Sequence, residues 1–378
     1  MTMLDPATAA LRWFPLVARS RPRCLPLDVR ISGLCAQADA AARDQDPAAA
    51  STVFNQAALL ASDVGLHDLA RDWCHQHAAA YLRAVPLDAA SARRALEPFV
   101  NIARLHIRAG NGDAALQLLN DLTKAVTSRT DTIIDGQPLP GSSLTSSPRD
   151  HAQLRQWLWT VNLADGTRAL TTAGRWNVAL DHLHKHNGIG QRMLDGRQVA
   201  VIARILSNDR AMAQQLLAQT APGMPWENAV TACLAVLGSS RVAQDSSALL
   251  QHCQALDCPS DLVVFNTRLC LFALGLLRNT EHPIGVLVDN TVQRAIDARD
   301  GYAAREVLAN DTCVASIASR QVNDLSRIIE DCGLKGCDAP RVFRVALSKA
   351  LAISRSVILA HGKSVVIETD LDFSDGFG

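Results

Sequence analysis

Four stretches of the chain carry one two-part pattern: an apolar helical face, a short polar or glycine-containing turn, and a second apolar face. In residues 52–82, Phe54, Ala57, Ala58 and Ala61 share a face, Asp63–Gly65 breaks it, and Leu69, Ala70, Trp73 and Cys74 start the next. Residues 98–122 repeat the plan with Ile102 and Ala103, a turn at Gly110–Gly112, then Ala115, Leu118, Leu119 and Leu122. Residues 163–186 turn at Gly174 and resume with Trp176, Ala179, Leu180 and Leu183; residues 197–219 turn at Asn208–Asp209. A single pair of such helices cannot bury its own apolar face, so the pattern demands a stack of neighbours.

Small residues recur within these copies. Ala58 and Ala103 stand at the first-helix crossing, and Ala70, Ala115 and Ala179 stand early in the second helix. With the glycine-containing turns, this resembles the tetratricopeptide repeat. The copies depart from it where Thr167 replaces the small first-helix residue and where the closing proline is missing. The resemblance implies an all-α, TPR-like α-solenoid of stacked antiparallel helix pairs, close over 50–220 and loose over 225–335. The region around residues 55–76 also looks like the repeat regions of actinobacterial proteins, some of which follow a helix-turn-helix DNA-binding domain in regulators. Residues ahead of the repeats carry no such signature, so the DNA-reading half is expected to be absent.

The division expected from these signals is an N-terminal helical segment over 1–46 and TPR-like repeats over 47–222, interrupted by an insertion at 129–150. Further helical repeats are expected over 223–362, and a strand or tail over 363–378. Helices are expected at 258–279, 285–299, 301–309, 322–333 and 340–361. The run "SVVIETDL" (364–371) is rich in β-branched residues and reads as a short strand.

Composition narrows the classes. Hydrophobic residues make up 48% but aromatics only 4%, so the core is built from Ala, Leu and Val, which suits close helix packing. The 37 basic residues balance 37 acidic ones, so no overall field draws the chain to nucleic acid or an anionic membrane. The ten cysteines include no C-x-x-C, and no secretory leader is apparent, which points to reduced, mostly buried thiols in the cytoplasm. The most apolar run, 262–277, is interrupted by Asn266 and Arg268 and reads as a core helix, since a span needs about 20 apolar residues.

Motifs for metal or nucleotide chemistry are incomplete. His182 and His186 stand four apart on one helix face, yet they lack the glutamate and third ligand of an HEXXH-type site. Cys74 and His77 have no matching pair. The glycines of "NGIGQRMLDG" (187–196) follow a helix, whereas a dinucleotide fingerprint follows a strand. No Walker A sequence and no G-x-S-x-G is present, and "DLDF" (370–373) belongs to the solvated tail. No metal and no cofactor is expected.

One cluster stands out. Trp157, Trp159 and Trp176 fall within 20 residues, accompanied by Asp165, Arg168, Arg175, Arg192, Asp195 and Arg197. Tryptophan and arginine on the inner face of a helical stack would form a binding hot spot. The expected ligand-binding set is Trp157, Trp159, Asp165, Arg168, Trp176, Arg192, Asp195 and Arg197. The other reading is tryptophans filling gaps between repeats and ions pairing outside. Nearby, "TII-DG-QPL" carries the signature of a two-residue hairpin, with Pro138 holding its second strand to an edge. This insertion is expected to fold over the inner face and pair with 364–371, or otherwise to be a mobile loop. Two functions follow: a protein that holds a peptide or partner protein in its groove, in regulation or a biosynthetic pathway, or an enzyme of specialised metabolism with a small-molecule cavity. Binding is favoured, because repeat folds usually bind and no catalytic constellation is visible.

Overall fold

The computed structural model describes residues 11–239, 242–278, 280, 284–336 and 341–372. Helices form most of it, and the sheet among the described residues is a two-stranded ribbon. The fold is all-α.

Its pairing rests on one turn used four times. Helix α1 (Leu27–Asp44) is followed by α2 (Pro47–Asp63) and α3 (His67–Leu82), then α4 (Ala89–Arg108) and α5 (Gly112–Ser128). After the ribbon come α6 (Pro148–Val161), a π-helical segment (Asn162–Gly166), α7 (Thr167–Thr172), α8 (Trp176–Lys185), α9 (Asp195–Leu206) and α10 (Arg210–Ala218). Between α2 and α3, α4 and α5, α7 and α8, and α9 and α10, one residue turns left-handed: Gly65, Gly110, Gly174 and Asn208, with φ of 83°, 82°, 71° and 60°. The next residue is almost identical each time, with φ/ψ of −90/65°, −89/60°, −89/57° and −89/66° at Leu66, Asn111, Arg175 and Asp209. Its N–H returns to a carbonyl five residues back, as in Leu66 to Ala61 and Asp209 to Arg204, which satisfies the spent end of the first helix. Asn208 does the work of glycine because a short amide side chain tolerates the left-handed region. Five residues beyond each left-handed residue stands an alanine: Ala70, Ala115, Ala179 and Ala213. All four are 0% exposed, as a close helix crossing requires.

The chain divides into two compact units. The hairpin unit comprises Leu27–Ala169 with Lys335–Gly378; the thiol-rich unit comprises Met1–Pro26 with Leu170–Leu334. The division therefore falls within the third helix pair rather than near residue 222.

In the hairpin unit, sequential helices pack around a core of Phe54, Leu60, Leu96, Phe99, Leu119 and Leu122. Its last helix, α18 (Arg341–Asp372), returns from the far end of the sequence to lie on α1, α2 and α3.

In the thiol-rich unit, α11 (Pro225–Gly238), α12 (Val242–Gln254), α13 (Val263–Leu277), α14 (Gly285–Ala298), α15 (Gly301–Leu308), α16 (Asp311–Ser316) and α17 (Ser319–Asp331) follow α10. Ser260–Leu277 is long and apolar enough to cross a membrane, and 67% of it is buried within the protein, as a core helix would be. The N-terminal segment is not continuously helical, contrary to expectation. After a 3-10 turn at Leu11–Trp13 it runs irregularly to Pro26, because Pro15, Pro22 and Pro26 remove N–H donors and restrict the residues before them. It is held by core contacts instead. Phe14 meets Phe272 edge-on at 4.9 Å, and the buried Gln198 amide both donates to and accepts from Leu16 at 2.7 Å.

The C-terminal expectation is corrected as well. Helix α18 (Arg341–Asp372) continues through 364–371, where a strand was read, and 373–378 lie outside the described residues. Strand β1 (Asp131–Ile134) pairs antiparallel only with β2 (Gln137–Pro140). Among the described residues no strand pairing links the insertion to the chain end.

Candidate functional site

The hairpin itself forms as read. Asp135 and Gly136 both take positive φ, 52° and 78°, which makes the type I′ turn that matches strand twist. Ile134, Leu139 and Leu144 are buried, and Leu87 bonds to Leu144 and Ser146 at 2.9 Å. At the tip, Arg71 of α3 donates two hydrogen bonds to the Asp135 carboxylate, 2.7 and 2.6 Å, and His75 Nε2 lies 2.9 Å from it. Burial pushes the Asp135 carboxyl up, but the Arg71 and His75 bonds outweigh it and hold it below its ordinary value. Burial, aided by Asp135, pushes the neighbouring Cys74 thiol up to about 12, so it stays protonated. The tip thus fastens to α3, a second helix, and not to the first helices as expected.

Those first helices carry the more informative arrangement. Asn55 lies on α2, Asn101, Arg104 and Arg108 on α4, and Asp165 on the π-helical segment. Asn101 Nδ2 donates to Asn55 Oδ1 at 2.9 Å. Arg104 donates to Asn101 Oδ1 at 3.1 Å and grips Asp165 through Nε (3.2 Å) and Nη2 (2.9 Å) to Oδ2. One turn along, Arg108 donates to Asp63 at the end of α2, which also receives Arg30 of α1 at 2.6 Å. The spacing 101, 104, 108 keeps these side chains on one face of α4. The row therefore ties three successive first helices together through side chains. Its acids are sunk and its bases are not: the Asp63 side chain is 0% exposed and that of Asp165 11%, against 36% for Arg108 and 47% for Arg104.

The extra residue of the π-helical segment displaces the backbone at Asp165, and such bulges are frequent at functional sites. Asn162 in the same segment donates to Thr123 of α5 at 3.1 Å, fixing it from the other side.

The eight residues singled out in the sequence divide between the units. Trp157, Trp159, Asp165 and Arg168 belong to the hairpin unit; Trp176, Arg192, Asp195 and Arg197 belong to the thiol-rich one. Trp157 packs on the core with the Arg93 guanidinium 5.6 Å above its ring, while Trp159 is 45% exposed. Asp165 enters the row on the first helices. Trp176 packs on the core of its unit. Arg192 is engaged by the buried Glu227, and Asp195 by Arg19 at 2.7 Å. Arg197 is buried and donates to Gly190 O, Leu216 O and Thr220 Oγ1 at 2.7–2.9 Å, closing the loop ahead of α9. Three Asp-Gly pairs near this region have separate uses: the hairpin turn at 135–136, the π-helical segment at 165–166, and the start of α9 at 195–196.

Asn55, Asp63, Asn101, Arg104 and Arg108 were missed in the sequence, although one signal marks two of them. Asn101 and Arg104 stand nine and six residues before Gly110; Asp165 and Arg168 stand nine and six before Gly174.

Elsewhere, His182 and His186 bring their rings to 4.6 Å. No group of three or more metal-ligating side chains occurs among the described residues. A cavity of about 20 Å³ between the end of α3 and α18, lined by Tyr81, Asp88, Ser91 and His361, holds one water at most. No family model, no curated protein and no solved structure matches the chain.

Proposed function

We propose that this is a TPR-like helical-repeat protein that holds a peptide or partner protein in a groove lined by its first helices. The observation that carries the reading is the row Asn55–Asn101–Arg104–Asp165. It occupies first helices only, it is fixed by side-chain bonds between helices, and part of it remains open to solvent. A carboxamide offers both a donor and an acceptor, the complement of a peptide backbone, and an anchored guanidinium loses little freedom on binding. Trp159 and Arg168 are the flanking candidates from the tryptophan cluster; Trp157, Trp176, Arg192, Asp195 and Arg197 are assigned supporting roles. Reduced, buried thiols fit a cytoplasmic setting.

A photo-crosslinking amino acid placed at Gln56, beside Asn55 on α2, should give discrete adducts in cells of the source organism. The same group at Gln117, exposed on the second helix α5, should not. Equal labelling from both positions, or none from Gln56, would sink the groove reading.

A further inference from the structure

Charge in the hairpin unit is sorted by helix class. The first helices are α2, α4 and residues 148–169. Together they carry seven arginines (93, 94, 104, 108, 149, 155 and 168), all on α4 and 148–169, against four acids: Asp63 on α2, and Glu97, Asp150 and Asp165. The second helices have the opposite sign. Helix α3 has Asp68 and Asp72 against Arg71, and α5 has Asp113 and Asp121 against Lys124. In a chain whose 37 basic and 37 acidic residues cancel, this sorting is local.

Burial sharpens it. Three of the four first-helix acids are already engaged. Asp63 is held by Arg30 and Arg108, Asp165 by Arg104, and Asp150 by Ser147 and the Ala89 N–H. Glu97, the fourth, is half-buried and stands one turn before Asn101. Asp63 and Asp165 lie beneath the guanidiniums they hold, so solvent meets arginine first. The Arg104 guanidinium is steadied from behind, and its side chain is nearly half open to solvent.

From this sorting we infer that the partner segment is acidic, and that its carboxylates are read by the arginines of the first helices with Arg104 at the centre. This rests on the groove reading above and specifies its ligand. Arg104 has the geometry for it: Nε and Nη2 face Asp165, Nη1 faces Asn101, and nearly half the side chain is open. An incoming carboxylate adds a charge-assisted bond to a guanidinium that is already positioned. The acidic second helices repel the same ligand, which fixes the face it chooses.

The test is fluorescence anisotropy with three labelled octapeptides, of glutamate, lysine and alternating glycine–serine, at about 50 mM salt. The glutamate peptide should bind and weaken steadily as salt rises. Arg104→Gln should weaken it about threefold or more, as loss of an exposed ion pair does. Lys124→Gln on α5 should leave it unchanged, with circular dichroism confirming that both variants keep the wild-type melting profile. Equal losses in the two variants would mean diffuse surface attraction and overturn the inference. Binding of the lysine or glycine–serine peptide alone, sensitive to Arg104→Gln, would overturn the acidic partner but leave the groove. Binding of none of the three would overturn the inference, while the crosslinking at Gln56 still judges the groove.

Discussion

The hairpin unit and the thiol-rich unit use the same turn and put different chemistry behind it. Nine and six residues before Gly110 stand Asn101 and Arg104, tied to neighbouring helices and partly open to water. Nine and six residues before Asn208 stand Val199 and Ile202, both 0% exposed. The thiol-rich unit also holds seven of the nine described cysteines. Three of them, Cys233, Cys253 and Cys270, meet from α11, α12 and α13, and mutual hydrogen bonding with burial pushes the Cys253 and Cys270 thiols well up. A repeat turn therefore fixes how two helices cross and leaves their exposed face free to become either a polar row or more core.

The largest way to break this comparison is Asp63→Ala. It removes the buried carboxylate that Arg30 and Arg108 share, and should cost about 2–3 kcal/mol, as the loss of hydrogen bonds to a charged group does. The matching trim of the apolar face, Ile202→Val, should cost only about 1 kcal/mol. Urea unfolding of both variants measures the difference; equal costs would remove the distinction between ionic and apolar ties.

His77 gives the next effect, confined to the hairpin unit. Its ring stacks on Phe54 at 4.9 Å, Nε2 has no hydrogen-bond partner, and burial lowers its pKa to about 3. The unfolded chain, with an ordinary histidine near 6.5, takes up the proton first. Stability is thus whole above about pH 6.5 and falls as pH drops toward 3, by up to about 1.4 kcal/mol per unit. His77→Leu should flatten that slope in unfolding curves taken at pH 7, 5.5 and 4.5. An unchanged slope would place the acid sensitivity on other groups.

Overpacking the crossings comes third. Ala115→Leu and Ala213→Leu should each cost about 1–3 kcal/mol, since the two alanines hold the same place after the turn in the two units. A melting temperature unchanged in either variant would show that crossing to be loose. The smallest effect tests the turn itself. Gly110→Ala should cost about 1 kcal/mol in backbone strain, whereas Gly110→Asn should be nearly neutral, as Asn208 already shows in the other unit.

How much of this was legible follows the range of the forces. Helix pairs, left-handed turns and crossing alanines were readable because each depends on residues within about ten positions. The Asp-Gly hairpin was readable for the same reason. Arg104 was not, since its meaning comes from Asp165, 61 residues away in sequence. The tryptophan cluster is the opposite case: residues close in sequence straddle the division between Ala169 and Leu170.

What the sequence determined by itself was local: where helices start, how they turn, and which small residues let them cross. Only the tertiary structure decided which helices share a row of side chains, which acids sink beneath arginines, and what becomes of 364–371. Those last residues show the reason. A strand needs the backbone of another segment to satisfy its N–H and C=O groups, whereas a helix makes its bonds within itself. With β1 paired only to β2, the β-branched run continues the helix that began at Arg341.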